Sequence, residues 1–116
     1  MFYQNMPLYL KLINLLKKEY SFVHQFPKEY KFSLGQDIIQ ETWSLIDLFI
    51  EAQIISQTQR QMKLAIIKKM DYQYDLFKLR IRFLSELKLI SAGQSAALNE
   101  HTVEIGKMIG SWLKNG

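Results

Sequence analysis

Apolar residues recur every three or four positions along most of the chain, which is the spacing of one face of an α-helix. Proline occurs only at positions 7 and 27, and glycine only at 35, 93, 106, 110 and 116, so long stretches lack helix breakers. The pattern predicts four helices, over residues 7–24, 33–55, 59–90 and 94–114. Because the connections are short, neighbouring helices should be antiparallel. We therefore expect an all-α protein, an antiparallel up-down four-helix bundle that forms a single domain over residues 1–116.

Each predicted helix has an apolar stripe that should face the core. The stripes are Leu8, Leu12, Leu15, Leu16, Tyr20 and Val23 in the first helix; Ile38, Trp43, Leu45, Ile46, Phe49 and Ala52 in the second; Met62, Ile66, Met70, Phe77, Leu84 and Leu87 in the third; and Leu98, Ile105, Ile109 and Trp112 in the fourth. Ser33 is expected to cap the second helix. Ser56 to Thr58 should form a junction, and Gly93 should end the third helix in left-handed geometry.

The third helix is apolar over most of its circumference. Its polar sector is narrow and holds Lys68, Asp71, Asp75, Lys78, Arg82 and Glu86. Tyr72, Leu79 and Phe83 lie well to one side of the core stripe, so one interface within the bundle cannot cover both sets. We expect these three side chains to form an interface between subunits of an oligomer. The alternative is that they pack under the connector around Phe26 and Phe32.

Positive charge is concentrated in the same helix. Between residues 56 and 91 there are eight basic and three acidic residues, whereas the whole chain has a net charge of +4 and a pI near 9.3. Such an element is typical of a protein with a phosphate-rich partner. The candidate contacts to nucleic acid or another partner are Lys68, Lys69, Lys78, Arg80, Arg82 and Lys88. Without a base-reading element, binding should be largely non-specific.

A second interpretation of these charges is a solvated surface. Lys68 with Asp71, Asp75 with Lys78, and Arg82 with Glu86 all have the spacing of ordinary helical ion pairs. Arg80 is unusual because it interrupts the apolar stripe, where an unpaired charge would be costly. We expect Arg80 either to be paired inside an assembly or to face a solvated channel.

The sequence contains no pattern typical of catalysis or of cofactor binding. There is no cysteine, and the two histidines, His24 and His101, lie in different elements with only Glu104 at ligand spacing. Gly106 and Gly110 lie in a helix, where their small size should let another helix approach closely. We expect a non-enzymatic protein without metal or cofactor. The absence of cysteine is consistent with the cytoplasm, and no uncharged run approaches the roughly 20 residues that span a membrane.

Three segments resemble a known family. They are the connector Phe26-Pro27-Lys28-Glu29-Tyr30-Lys31-Phe32-Ser33-Leu34-Gly35, the pair Leu79-Arg80, and the C-terminal run from Glu104 to Lys114 that contains Gly106, Gly110 and Trp112. Over nearly the whole chain, this pattern resembles the accessory variability determinant (Avd) proteins of diversity-generating retroelements. These proteins are similar to a wider four-helix-bundle family encoded in intervening sequences of ribosomal RNA genes. Lys107 and Ser111 depart mildly from the Arg and Gly expected there.

The resemblance implies a barrel-shaped homopentamer whose basic surface associates with the retroelement's reverse transcriptase and with its RNA. Because a basic helix discriminates little between RNA and DNA, we also expect the protein to bind DNA. Its role would be a non-catalytic scaffold in mutagenic retrohoming, in which adenines of a template RNA are mutated during copying and the new DNA replaces a variable region. One alternative is an oligomer of the intervening-sequence type, structural or RNA-associated and without a retroelement partner. The other is a purely structural oligomer whose basic residues only solubilise its surface.

Overall fold

The structure, a computed structural model, describes residues 2–55 and 57–115. Its helices are α1 (Pro7–Val23), α2 (Lys28–Lys31), α3 (Leu34–Ile54), α4 (Arg60–Glu86) and α5 (Ala92–Asn115). Single 3-10 turns cover Phe2–Asn5 and Gln57–Gln59. No residue in the described ranges belongs to a strand. Met1, Gly116 and, within the predicted junction, Ser56 lie outside those ranges.

The four long helices pack around one another, and the one-turn α2 lies in the connector between α1 and α3. Contacts join α1 to α3, α3 to α4, α4 to α5, and α5 back to α1. The resulting body measures 48 × 23 × 22 Å, about the length of its longest helix with its flanking turns. The predicted all-α four-helix bundle is confirmed. Over the described residues, no helix combines the length and apolar character needed to cross a membrane.

The interface between α1 and α3 differs from the predicted stripes at two positions. Glu19 and Thr42 are fully buried there, whereas Tyr20 is 50% and Trp43 40% exposed. The prediction that these two aromatic residues face the core was therefore wrong. Successive helical residues are about 100° apart, and the surrounding leucines and isoleucines set the rotation that turns positions 19 and 42 inward. Outside, Trp43 Nε1 donates a hydrogen bond to the Tyr20 hydroxyl at 3.1 Å.

Helix α4 buries a stripe whose members alternate at spacings of three and four residues. They are Ile67, Met70, Tyr74, Phe77, Ile81 and Leu84. This stripe corrects the prediction, since Met62 is 56% exposed and Ile66 and Leu87 are only half-buried. Tyr74 is nevertheless well satisfied, because its hydroxyl donates to the Thr102 carbonyl oxygen at 2.6 Å. Burial raises the pKa of Tyr74, so the side chain stays neutral.

Helix α4 ends at Glu86, four residues before the predicted end at residue 90. Lys88 adopts a left-handed backbone with φ of 59°. Its N–H donates to the Ser85 carbonyl, and the Leu89 N–H donates to the Leu84 carbonyl, both at 3.0 Å. This is the paired arrangement that terminates many helices, in this case with lysine where glycine is usual. The prediction that Gly93 takes this role was wrong, since no described glycine has positive φ and Gly93 belongs to α5.

Two helix starts are stabilised differently from each other. At α5, the Gln94 N–H donates to Ser91 Oγ at 3.1 Å, and the Ser91 N–H donates to Gln94 Oε1 at 2.9 Å. This reciprocal pair is a capping box. At α3, the predicted cap was wrong: Ser33 precedes the helix but makes no capping hydrogen bond, because its hydroxyl donates to the Glu29 carbonyl at 2.8 Å.

Candidate nucleic-acid interface

The six basic residues predicted to bind a partner do not lie on one surface. Lys78 and Arg82 line the groove between α4 and α5. Arg80 lies on the opposite side of α4, where it lines a small cavity against α3. By helical spacing, Lys68 shares the side of Arg82, and Lys88 follows the end of the helix. The sequence identified the charged element but not this division into two sides.

Most of these six cations form no ion pair within the described part of the chain. Lys78 pairs with Asp75 at 3.2 Å, and its ammonium lies 5.4 Å from the centre of the Tyr74 ring. In contrast, the other predicted helical ion pairs, those of Lys68 and Arg82, do not form among the described residues. Lys69 and Lys88 likewise have no ion-pair partner in the described ranges. Four exposed cations on or beside α4 can therefore interact with an external anion.

Arg80 is the exception. Its guanidinium donates to Glu41 Oε2, and the neighbouring Ser44 hydroxyl donates to Gln73 Oε1 at 3.0 Å. Partial burial raises the pKa of Glu41, and the positive charge of Arg80 opposes that rise. Arg80, which interrupts the predicted stripe of α4, and Gln73 on the same helix therefore both face polar partners on α3. Arg80 is paired within the chain itself, so it is less suited to bind phosphate than the unpaired cations.

A groove of about 510 Å³ separates the outer parts of α4 and α5. Its lining consists of Lys78, Ile81, Arg82 and Ser85 from α4, and Ala92, Ser95, Ala96, Asn99 and Thr102 from α5. The groove stays open because α5 presents small side chains along this side. A second cavity of about 370 Å³ continues it towards the C-terminus of α5 and is lined in part by Asp71, Asp75 and Lys107. The first groove is thus cationic, and the second carries both signs of charge.

Another groove, of about 530 Å³, lies at the end of the bundle where α1 begins and where α3 and α5 end. Met6, Phe49, Met108 and Trp112 give it a mainly apolar lining. Lys107 is its one cationic residue among the described residues that line it. This chemistry does not match a phosphate-rich ligand, so the candidate interface is the groove between α4 and α5.

The residues predicted to join subunits are exposed. Tyr72 is 64%, Leu79 60% and Phe83 48% exposed. Met62 and Leu76 are also more than one-third exposed, and all five fall on the side of α4 opposite its buried stripe. The alternative packing under the connector does not occur. Phe26 is buried in the core and Phe32 is 66% exposed.

The connector shared with the family has a structural role at Phe26 and Gly35. Phe26 is buried, and Pro27 directly precedes α2. Gly35 lies at the start of α3, where a Cβ atom would come within 2.6 Å of Val23 Cγ1 and 3.2 Å of the Tyr30 carbonyl oxygen. The connector therefore needs glycine here for close packing. Lys28 is exposed and Leu34 half-buried.

The residues shared with the family near the C-terminus, Gly106, Gly110 and Trp112, differ in how closely other helices pack against them. Trp112 packs against Phe49 with ring centres 5.4 Å apart. A Cβ at Gly106 would make an ordinary contact with the Tyr74 ring at 3.5 Å, whereas one at Gly110 would meet nothing within 4 Å. Within the chain, the expected close approach of another helix at Gly110 is therefore wrong: position 110 points away from the neighbouring helices. Gly110 is exposed.

Two groups of ionisable residues lie outside this interface. Glu104 forms an ion pair with Lys11, and burial together with Lys18 and Lys11 lowers the pKa of His101. No cluster of three or more His, Asp or Glu residues suited to a metal ion occurs in the described part of the chain. The second group is Glu19 with Thr42, which sequence reasoning missed. Glu19 lies at helical spacing from the buried residues Leu15, Leu16 and Val23, and this spacing in the sequence could have indicated that its side chain points inward.

The fold and the surface of α4 define a class: small helical-bundle proteins with available cations on an outer helix. The sequence model of a family described as bAvd-like matches residues 8–116, and the chain belongs to this family. The predicted membership of the Avd-type proteins is thereby confirmed, and the chain is an accessory protein of that general type. No curated protein sequence matches the chain.

Proposed function

We propose that this protein is the non-catalytic accessory subunit of a diversity-generating retroelement, acting in the cytoplasm as an oligomeric scaffold for nucleic acid and reverse transcriptase. The observation that carries the proposal is the bAvd-like match over residues 8–116. The available cations of α4 support it, because they supply charge suited to phosphates. The scaffold holds polymerase and template RNA together while the polymerase performs the chemistry of mutagenic retrohoming.

The oligomer forms through the exposed side of α4. Tyr72, Leu79 and Phe83 continue into Met62 and Leu76, giving an apolar stripe that a soluble monomer would leave in water. Burial of such a stripe contributes roughly 25 cal/mol per Å² of apolar surface. The resemblance to Avd proteins implies that the assembly is a homopentamer. A cyclic assembly repeats every surface cation once per subunit and so multiplies the charge available to one nucleic acid.

Binding to nucleic acid is mainly electrostatic. Lys68, Lys69, Arg82 and Lys88 have no ion-pair partner among the described residues, and the nearby Lys78 shares its charge with Asp75. Cations on a rigid helix contact phosphates and do not read bases. We therefore expect RNA and DNA to bind with little sequence preference, and specificity to come from the reverse transcriptase or from RNA shape.

One purification and binding series tests this proposal. Light scattering should give an oligomer of this 13.8 kDa chain across micromolar concentrations. Labelled RNA should bind with an affinity that falls steeply with salt, on the order of a thousandfold between 50 and 200 mM if six or more phosphates are contacted. The chain should also co-purify with the reverse transcriptase encoded beside it.

Three results would contradict the proposal. A protein that is monomeric at all concentrations would contradict the proposed oligomeric scaffold. Binding to neither RNA nor DNA at low salt would leave a structural oligomer with a solvated basic surface. A protein that binds RNA but has no reverse-transcriptase gene beside its own, and no affinity for such an enzyme, would fit the intervening-sequence type instead.

A further inference from the structure

The groove between α4 and α5 brings polar donors of two helices together. Lys78, Arg82 and Ser85 come from α4, while Ser95 and Asn99 come from α5. Lysine, arginine, serine and asparagine side chains all donate hydrogen bonds to phosphate oxygens. The lining residues from described positions include no acidic side chain. Such a lining matches an anionic, hydrogen-bond-accepting ligand.

The shape of the groove limits which nucleic acid fits. Its volume of about 510 Å³ can hold part of a single strand. A duplex is comparable in width to the whole bundle, whose cross-section is 23 × 22 Å, so it can contact only the rim of the groove. Lys78 and Arg82 are one helical turn apart, a rise of about 6 Å. That separation is comparable to the distance between neighbouring phosphates in an extended strand. Two consecutive phosphates can therefore be contacted together.

The groove also lacks the means to recognise bases. None of the described residues that line it is aromatic, so it offers no platform on which a base could stack. Of its lining residues, Ile81 and Thr102 are buried, and Ala96 is small and exposed. A strand in this groove therefore binds through its backbone, with the bases directed outward.

Acidic residues limit the groove at one end. The adjoining cavity is lined by Asp71 and Asp75, and Asp75 already pairs with Lys78. A phosphate approaching Lys78 competes with this carboxylate. Arg82 has no ion-pair partner among the described residues and is the stronger anchor. Arg80 lies on the other side of α4, paired with Glu41, and contributes little.

From these features we infer that the groove between α4 and α5 binds the sugar–phosphate backbone of a single nucleic-acid strand, with Arg82 and Lys78 as its phosphate contacts. This inference rests on the proposed binding of nucleic acid and assigns that binding to the groove between α4 and α5. Of the six candidate cations, Lys78 and Arg82 lie in the groove and bind, Arg80 is paired with Glu41 and does not, and Lys68, Lys69 and Lys88 lie outside the groove.

The test measures binding of a labelled 20-nucleotide oligouridylate, and of an RNA duplex of the same length, by fluorescence anisotropy at several salt concentrations. The variant Lys78→Gln/Arg82→Gln should lose about tenfold in affinity for the single strand at low salt. Its salt slope should flatten by about 1.4, since each phosphate contact on a single strand contributes about 0.7. The control Lys17→Gln/Lys114→Gln removes equal charge from exposed positions elsewhere and should change affinity less than threefold.

Two further variants separate the groove from charge alone. Ala96→Gln fills the groove at an exposed helical position without changing charge, and should weaken single-strand binding several-fold. Asp75→Asn should strengthen it, because it frees Lys78, whereas Asp47→Asn on α3 removes the same charge away from the groove and should not. Arg80→Gln should bind like wild type. Circular dichroism and sizing verify that each variant folds and assembles.

The outcomes distinguish this inference from the proposed function. Wild type that binds RNA while the double variant and Ala96→Gln bind equally well would overturn the inference and leave the function intact. A duplex bound as tightly as the single strand would also overturn it. Variants that lose the reverse transcriptase but keep RNA would assign the groove to a protein partner instead. Wild type that binds no nucleic acid would refute both.

Discussion

Replacing Glu19 by glutamine should make the stability of the bundle much less dependent on pH. Glu19 is fully buried between α1 and α3, with Oε2 2.7 Å from Thr42 Oγ1. No described residue donates to its Oε1. Thr42 Oγ1 also lies 3.3 Å from the Ile38 carbonyl oxygen. The Thr42 hydroxyl donates to Glu19 Oε2 when the carboxylate is charged. When Glu19 is protonated, it can donate to Thr42 instead, whose own proton then goes to the Ile38 carbonyl oxygen. Both forms can therefore make this contact, and complete burial is what favours the neutral acid.

The magnitude follows from the difference in proton binding between the two states. Burial raises the pKa of Glu19 from its ordinary 4.5 to about 8, the hydrogen bond from Thr42 opposes this rise, and the charge of Glu41 adds to it. Below pH 4.5 the folded and unfolded chains are both protonated. Between 4.5 and 8 the unfolded chain loses a proton that the folded chain keeps, so the free energy of unfolding falls by about 1.4 kcal/mol per pH unit. The total loss is on the order of 4–5 kcal/mol, complete once the pH exceeds the folded pKa.

The assay is thermal or urea unfolding of wild type and Glu19→Gln from pH 5 to 9 at one protein concentration. Glutamine carries no titrating proton and can also donate to Thr42. The two proteins should be similar near pH 5, and the variant should melt higher at pH 8, by roughly 10–20 °C for a chain of this size. The control Glu51→Gln removes an exposed carboxylate from α3 and should follow wild type. Parallel stability curves for wild type and Glu19→Gln, or a variant that is less stable at pH 8, would refute the reasoning.

Three substitutions of backbone-sensitive residues give further predictions. Gly35→Ala should destabilise the chain by roughly 1–3 kcal/mol in urea unfolding, because the new Cβ would meet Val23 Cγ1 at 2.6 Å and the Tyr30 carbonyl oxygen at 3.2 Å; wild-type stability would contradict this. Gly110→Ala should stabilise by roughly 0.5–1 kcal/mol with the same oligomeric mass by light scattering, since nothing lies within 4 Å; a smaller mass would place Gly110 in a subunit contact. Lys88→Gly should raise the melting temperature slightly, because it relieves the cost of left-handed lysine, about 1–2 kcal/mol; a lower melting temperature would exclude that strain.

The existence of the four helices could be predicted from the sequence because local features agree with the fold. Pro7 begins α1, apolar residues repeat at helical spacing, and breakers are rare. The end of α4 could not be predicted in the same way. Lysine carries no preference for left-handed geometry, and Gly93 offered a conventional stop that the chain does not use. The two backbone hydrogen bonds that terminate the helix at Lys88 depend on the folded backbone geometry, which the sequence does not show.

The orientation of α4 was predicted correctly along most of its length, since Met70, Phe77 and Leu84 are buried and Tyr72, Leu79 and Phe83 are exposed. Met62 was placed on the wrong side, because the helix is apolar on two opposite sides. Met62, Tyr72 and Leu79 repeat at helical spacing just as Met70 and Phe77 do. Near the start of the helix, periodicity alone cannot decide to which of the two stripes a residue such as Met62 belongs. The neighbouring helices decide, and they turn the stripe that contains Met70 and Phe77 inward. For the same reason the sequence located the basic element but could not assign Lys78 and Arg82 to one groove and Arg80 to another.

At the interface of α1 and α3, Glu19 and Thr42 are buried and Tyr20 and Trp43 are exposed, the reverse of the prediction, and this has a single physical cause. Tyr20 and Trp43 have far more apolar surface than Glu19 and Thr42, so side-chain type alone would place the aromatic pair inside. Leu12, whose exposure is 0%, and its neighbours fix the rotation of each helix, and an adjacent position cannot then turn inward without moving them outward. Burial of Glu19 costs less once it is protonated and bonded to Thr42, while the aromatic pair covers the edge of the interface with its own hydrogen bond. The packing of the whole helix therefore outweighs the preference of a single residue.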